Sequence, residues 1–233
     1  MLILVLERSA VRPSWALFRD AVCLCEEIAD AADARAPDWL PRMHAALTAA
    51  GVSLAEIDCF VAGLGPGSFS GTRAAVAALQ GMTLPDNKPL LGLSSAAALA
   101  FALLCAKNLR TPLAVIGDAR RERLWCAVYT RQQDRLALVT PAGTCPPTHT
   151  AADFRLTIWD ELPALLPADA VVVSPDWDRL GTRLSETFLP ARLLAGVHFS
   201  TAVDVGRLLL ADPERAHREP MPIYLHPAVA EKR

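Results

Sequence analysis

Gly63-Leu64-Gly65-Pro66-Gly67-Ser68-Phe69-Ser70-Gly71-Thr72-Arg73 is the stretch whose reading decides the fold. The apolar run Cys59-Phe60-Val61-Ala62 precedes it and reads as a strand, and an alanine-rich run with helical spacing follows it. A glycine-rich turn between a strand and a helix N-terminus is where backbone N–H groups and the helix dipole commonly hold phosphate. The spacing here fits neither standard phosphate motif. A Walker loop needs GxxxxGK followed by Ser or Thr, yet no lysine occurs between Cys59 and Asn87. The dinucleotide fingerprint GxGxxG fails as well, because Gly63, Gly65 and Gly67 recur at every second residue.

Working outward, the chain before the loop reads as three short strands, Leu2–Leu6, Trp15–Phe18 and Val22–Ile28, with Pro13 and Asp20 in the turns. A helix over Asp38–Ala50 follows, with Trp39, Met43, Ala46, Leu47 and Ala50 at helical spacing, Pro41 in the first turn and Gly51 as the stop. After the strand Cys59–Leu64 and the loop come a helix over Gly71–Leu84, a strand over Leu90–Leu93 and a helix over Ser95–Lys107 with Ser94 as N-cap. The order is β-β-β-α-β-α-β-α.

The second half starts alike, with strands at Leu113–Gly117, Leu124–Tyr129 and Leu136–Thr140. The proline-rich segment Thr144–Pro167 supports no assignment. A strand at Ala170–Ser174 and helices over Asp178–Phe188 and Ala202–Leu210 close the pattern. The tail from Pro220 to Pro227 holds three prolines and reads as an extended peptide laid over a lobe.

Composition narrows the function. Of the 233 residues 52% are hydrophobic, which supplies a substantial core, and the net charge of −2 gives no global attraction to nucleic acid. The local cluster Arg120-Arg121-Glu122-Arg123 reads as a solvated turn ahead of an RNA contact. MLILVL lacks a basic flank, and the longest apolar run, Ala96 to Ala106, is about half a membrane span, so a cytoplasmic protein with no membrane contact is expected. Six cysteines (Cys23, Cys25, Cys59, Cys105, Cys126, Cys145) form no CxxC pair and read as small buried thiols. The five histidines form neither HxxxH nor HExxH, so no metal site is expected.

The repeated order suggests an α/β fold of two lobes duplicated as βββαβαβα, similar to the actin, hexokinase and Hsp70 ATPase (ASKHA) fold. Residues 1–108 form the N-terminal lobe, joined by the C-terminal segment from about 200 to 233, and 109–199 form a smaller degenerate lobe. Enzymes of that fold hold magnesium and phosphate at an aspartate and glycine in the hairpin after each lobe's first strand. The corresponding stretches here are Leu6-Glu7-Arg8-Ser9-Ala10 and Gly117-Asp118-Ala119-Arg120-Arg121. Neither has a glycine after the acid, so backbone amides cannot approach a phosphate closely. Glu7, Gly65, Gly67, Ser68, Asp118 and Arg120 are therefore read as degenerate phosphate loops.

The blocks Gly65-Pro66-Gly67-Ser68-Phe69-Ser70-Gly71-Thr72-Arg73, Leu91-Gly92-Leu93-Ser94-Ser95, Asp118-Ala119-Arg120 with Glu122 and Tyr129, and Pro222-Ile223-Tyr224-Leu225-His226-Pro227-Ala228 together resemble the TsaB (YeaZ) family. Its IDTS-like turn is replaced by Leu6-Glu7-Arg8-Ser9, and the glycine that often follows the loop arginine is Ala74. The resemblance implies a glycoprotease-like, non-catalytic subunit of the bacterial machinery making N6-threonylcarbamoyladenosine on tRNA. It implies a heterodimer with TsaD, recruitment of the ATPase TsaE, a homodimer when the chain is alone, tRNA contact only through the complex, and no cofactor in this chain. The other readings are an active ATP-dependent kinase or transferase of the same fold, and a peptidase with Ser68 or Ser70 as nucleophile.

Within the loop, Gly65, Gly67 and Gly71 are expected to serve backbone geometry, Phe69 to lie in the core and Ser70 or Thr72 to cap the helix. Arg73 sits at the end of the helix unfavourable for a cation, so an acid partner is expected, Glu7 or a group in another subunit. Asp118 with Arg120 reads as a structural pair. Ala75, Val76, Leu79 and Met82 form a core stripe at 100° per residue. Ser70, Ala74, Ala77, Ala78 and Gly81 fall nearly opposite, covered by helix Asp38–Ala50 or by a partner. With Trp39, Met43, Leu47 and Arg73 they form the expected partner surface.

Overall fold

The computed structural model describes residues 1–30, 38–132, 135–139 and 153–225. The described chain separates into two units, one of residues 1–103 with 199–222, the other of residues 104–198 with the last described residues, 223–225.

The first unit holds a five-stranded sheet of β1 (Leu2–Glu7), β2 (Ser14–Arg19), β3 (Val22–Ile28), β4 (Cys59–Gly63) and β5 (Leu90–Leu93), in spatial order β3-β2-β1-β4-β5. The first three strands pair antiparallel, while β4 joins β1 and β5 in parallel through helical crossovers. Every residue of β4 is buried, as continuous apolar parallel strands require. The helices are α1 (Trp39–Ala49), α2 (Phe69–Thr83) and α3 (Ser95–Ala106), the last ending across the boundary between units. This is the expected βββαβαβα series in full. One later helix, α6 (Ala202–Ala211), packs on β1 and β2, where its Gly206 leaves room for the Phe18 ring. The stretch leading into the tail meets β5, where Gly92 and His217 exchange backbone hydrogen bonds of 2.9 Å and Gly92 leaves room for Pro220.

The second unit carries β6 (Leu113–Arg120), β7 (Arg123–Gln132), β8 (Arg135–Leu138), β9 (Arg155–Thr157) and β10 (Val171–Val173), with helices α4 (Leu162–Leu165) and α5 (Trp177–Thr187). The sheet order is β10-β6-β7-β8, and β9 also pairs with β7. Ala114 and Ile116 on β6 and Leu124, Cys126 and Val128 on β7 share one face, packed against Leu180 and Leu184 of α5. The duplication is incomplete here. Where β5 flanks β4, β10 has only a one-residue parallel bridge, Val172 to Leu193. A 3-10 turn over Pro190–Arg192 precedes Leu193, the left-handed Gly196 (φ 101°) follows it, and the next helix, α6, belongs to the first unit. The segment Thr144–Pro167 supplies β9 and α4 in its described part.

Among the described cysteines all are free, and burial pushes the Cys59 and Cys126 thiols up to about 11. Cys105 is exposed, contrary to the expectation of buried thiols, and Cys145, His149 and the tail block His226-Pro227-Ala228 lie outside the described residues.

Candidate functional site

The loop after β4 is built against the β1–β2 hairpin. Ser68 N donates to Ser9 O at 2.8 Å, and Gly65 N to Ser95 Oγ at 2.9 Å. Ser68 caps α2 by accepting from Gly71 N at 3.2 Å, which corrects the expected cap at Ser70 or Thr72; Thr72 Oγ1 instead donates to Ser68 O at 2.9 Å. A β-carbon on Gly67 would run into the Ser9 carbonyl, and one on Gly71 into the Arg8 carbonyl. Both glycines thus permit a close approach of two stretches of backbone. The hairpin backbone lies against one side of the loop, while Gly67, Ser68 and Ser70 remain exposed.

Beneath this contact lies Glu7, the last residue of β1, at 0% exposure. Its Oε1 accepts from Ser9 N at 2.7 Å and Ser9 Oγ at 2.6 Å, and its Oε2 from Ser200 Oγ at 3.1 Å. Ser9 Oγ is 2.9 Å from Ser95 Oγ, and Gly63 leaves room for the carboxyl. Burial raises the Glu7 pKa, because a low-dielectric surround disfavours the charged form, while hydrogen bonds from Ser9, Ser95 and Ser200 pull the other way. The expected Glu7–Arg73 pair is not formed. Arg73 instead lies with its guanidinium 5.0 Å from the Phe69 ring centroid, and Phe69 is 58% exposed rather than core, since its position at the start of α2 points away from the sheet.

The corresponding hairpin of the second unit holds its acid differently. Asp118 accepts from Arg120 N at 2.7 Å and pairs with Arg120 at 3.3 Å and Arg179 at 3.2 Å, while Asp118 N donates to Asp176 at 2.8 Å. Arg179 also pairs with Asp176. Arg120, Arg121 and Glu122 all adopt left-handed backbone, with φ of 65°, 54° and 58°, in a turn without glycine. Asp118 with Arg120 is the structural pair expected.

On α2 the structure separates the two stripes. Thr72, Ala75, Val76 and Leu79 are buried. Ser70, Arg73, Ala74, Ala77 and Gly81 are exposed and Ala78 is half-buried, so α1 does not cover this face. A β-carbon at Gly81 would touch nothing within 4 Å. The α1 members of the expected surface behave otherwise: Met43 and Leu47 are each 1% exposed, and Trp39 is half-buried under the Arg8 guanidinium, 4.3 Å from its ring centroid. Met43 and Leu47 are thus core residues, because their helical spacing faces inward, and are no part of a contact surface. Sequence reading missed Ser9, Ser95 and Ser200 as partners of Glu7. Ser95 stands in a quoted block, but Ser200 lies 193 residues from Glu7 and carries no local signal.

The sequence matches the family described as TsaD, tRNA N6-adenosine threonylcarbamoyltransferase, over residues 30–151, just over half of the chain. It is 34% identical over 95 residues to the tRNA threonylcarbamoyladenosine biosynthesis protein TsaB of Escherichia coli, a match covering 41% of each protein. An uncharacterised protein of Mycobacterium tuberculosis is 32% identical over 151 residues, 65% of this chain and 63% of that one. These matches span less than two thirds of the relatives' length. Among solved structures, YeaZ from Pseudomonas aeruginosa superposes with a TM-score of 0.72 at 22% identity, covering 96% of this chain and 100% of that one. A second structure, described as similar to peptidase YeaZ from the same organism, gives a TM-score of 0.73 at 24% identity over 97% and 99% of the two chains. Both likenesses bear on the fold.

Proposed function

From the premise that the chain belongs to the TsaD-type threonylcarbamoyltransferase family, in its TsaB (YeaZ) branch, we propose that it is a non-catalytic partner subunit in the synthesis of N6-threonylcarbamoyladenosine on tRNA. Its role is to bind a TsaD homologue, to help recruit the TsaE ATPase, and so to enable threonylcarbamoyl transfer to the adenosine beside the anticodon. The observation that carries this reading is the build of the hairpins. Backbone of the β1–β2 hairpin packs against Gly67 and Gly71, and the buried Glu7 carboxyl lies beneath. Neither Glu7 nor Asp118 is followed by a glycine that would let backbone amides approach a phosphate, which supports a chain that holds no nucleotide by itself.

The α2 face supports the partner role. Ala74, Ala77 and Gly81 present a smooth exposed strip flanked by Phe69 at 58% and Leu84 at 79% exposure, where a solvated helix normally carries charge. The peptidase reading has less support, because the Ser68 hydroxyl is engaged as the α2 cap. A cytoplasmic place fits this role, and among the described residues no helix is long and apolar enough to cross a membrane. Size-exclusion of the chain with its organism's TsaD homologue tests the reading. Wild type is expected to co-elute and Ala77→Arg to elute apart with an unchanged melting temperature. Co-elution of Ala77→Arg would move the interface off α2, and failure of the wild type to bind would overturn the partner role.

A further inference from the structure

The turn between β6 and β7 breaks two local rules at once. Arg121 and Glu122 form a two-residue connection closed by the Arg120–Arg123 pair, and Arg120, Arg121 and Glu122 all lie in the left-handed region with no glycine among them. Left-handed backbone crowds a β-carbon, and hairpins of this length normally meet it with Asn-Gly. Arg120 and Arg123 are also direct cross-strand partners, so like charges face each other, which opposes strand pairing. The base of the turn is fixed separately. Asp118 pairs with Arg120 and Arg179, while Asp176 pairs with Arg179 and accepts from Asp118 N. Two acids are thus matched by two guanidiniums. Arg121 and Arg123 are exposed and, among the described residues, form no ion pair; Glu122 is the one exposed acid of the turn.

A solvated turn needs neither the strained backbone nor the facing cations. Such departures, held in place by a rigid surround, mark sites of contact. An anion at the turn offsets the repulsion between the arginines, and the planar fork of a guanidinium matches phosphate oxygens. We propose that this turn contacts the phosphodiester backbone of RNA, with Arg121 and Arg123 as the phosphate-facing cations and Arg120 held back by Asp118. The choice of RNA rests on the proposed role in tRNA modification. The contact positions the RNA and carries no sequence selectivity.

The test uses the full chain in complex with its organism's TsaD homologue, titrated against fluorescently labelled tRNA by anisotropy at several salt concentrations. In Arg121→Gln/Arg123→Gln affinity is expected to fall at least about threefold, with the slope of log Kd against log salt reduced by about 1–2. Glu122→Gln is expected to tighten binding, and opposite shifts in the two variants exclude loss of fold as the cause. Equal affinity and slope in a double variant that still co-elutes with the TsaD homologue overturns the contact. Weakened co-elution, with unchanged tRNA affinity of the complex that does assemble, assigns the turn to a protein partner and overturns it as well. A wild type that forms no complex overturns the partner role by itself. The same titration on the chain alone then decides the contact, and equal slopes for wild type and double variant overturn it.

Discussion

Replacing Glu7 separates what its shape contributes from what its charge does. In Glu7→Ala the backbone N–H of Ser9 loses its acceptor inside the protein, an orphaned donor worth about 1–3 kcal/mol. One buried methylene is removed as well, at about 0.8 kcal/mol. The Ser9 hydroxyl keeps Ser95 at 2.9 Å and adds little. The sum is a loss of about 2–4 kcal/mol, which for a chain of this size lowers the melting temperature by roughly 4–16 °C. Glu7→Gln behaves differently. Its carbonyl accepts from Ser9 as before, and its amide donates to the Ser200 hydroxyl, so the packing persists without a buried charge. The pH dependence follows from the raised pKa of Glu7. A folded pKa above the unfolded value contributes stability at low pH that is lost as pH rises through the folded pKa. Wild type should therefore lose melting temperature relative to Glu7→Gln between about pH 5 and about pH 8, with the two closest at the acid end. Calorimetric melting of the three proteins at both pH values is the assay. If Glu7→Gln melts as low as Glu7→Ala near pH 8, an ionised carboxylate holds the loop and the reasoning fails.

Other outcomes follow from the same geometry. Gly67→Ala forces a β-carbon against the Ser9 carbonyl and should destabilise by about 1–3 kcal/mol in denaturant unfolding, whereas Gly81→Ala, with open space, should stabilise α2 by up to about 1 kcal/mol. Met43→Ala and Leu47→Ala should each cost about 2–5 kcal/mol of stability, checked by urea midpoints, and leave TsaD affinity unchanged in the folded fraction. Magnesium ATP should bind the isolated chain no more tightly than about millimolar, near −4 kcal/mol, because neither hairpin has a glycine after its acid, and micromolar calorimetric binding would contradict that reading.

Much of the first unit was legible in the sequence because its signals are local. The apolar run of β4, the glycine turn and the spacing of Ala75, Val76 and Leu79 each specify one element without help from distant residues. The second unit was half legible. Its hairpins follow from alternation, but no period reveals that Leu193 makes only a single parallel bridge to Val172 after the turn over Pro190–Arg192. In the site, the missing glycines after Glu7 and Asp118 marked weakened phosphate loops. Helical spacing cannot tell an inward stripe from an outward one, and so Met43 and Leu47 were placed on a contact surface although they are core. The partners of Glu7 come from β1's own turn, the start of α3 and the approach to α6, and only the fold brings them together. Arg73 meets Phe69, four residues back on the same helix, a contact as local as the acid pair expected for it was distant.

The central claim, a scaffold that enables transfer without performing it, is tested most directly by reconstitution. The organism's TsaD and TsaE homologues, tRNA, ATP and threonylcarbamoyl-AMP are combined with and without this chain, and modified adenosine in the tRNA is quantified by mass spectrometry. The account predicts modification only when this chain and the TsaD homologue are both present, and none from this chain alone. Undiminished modification without the chain, or modification by the chain in the absence of the TsaD homologue, would contradict it.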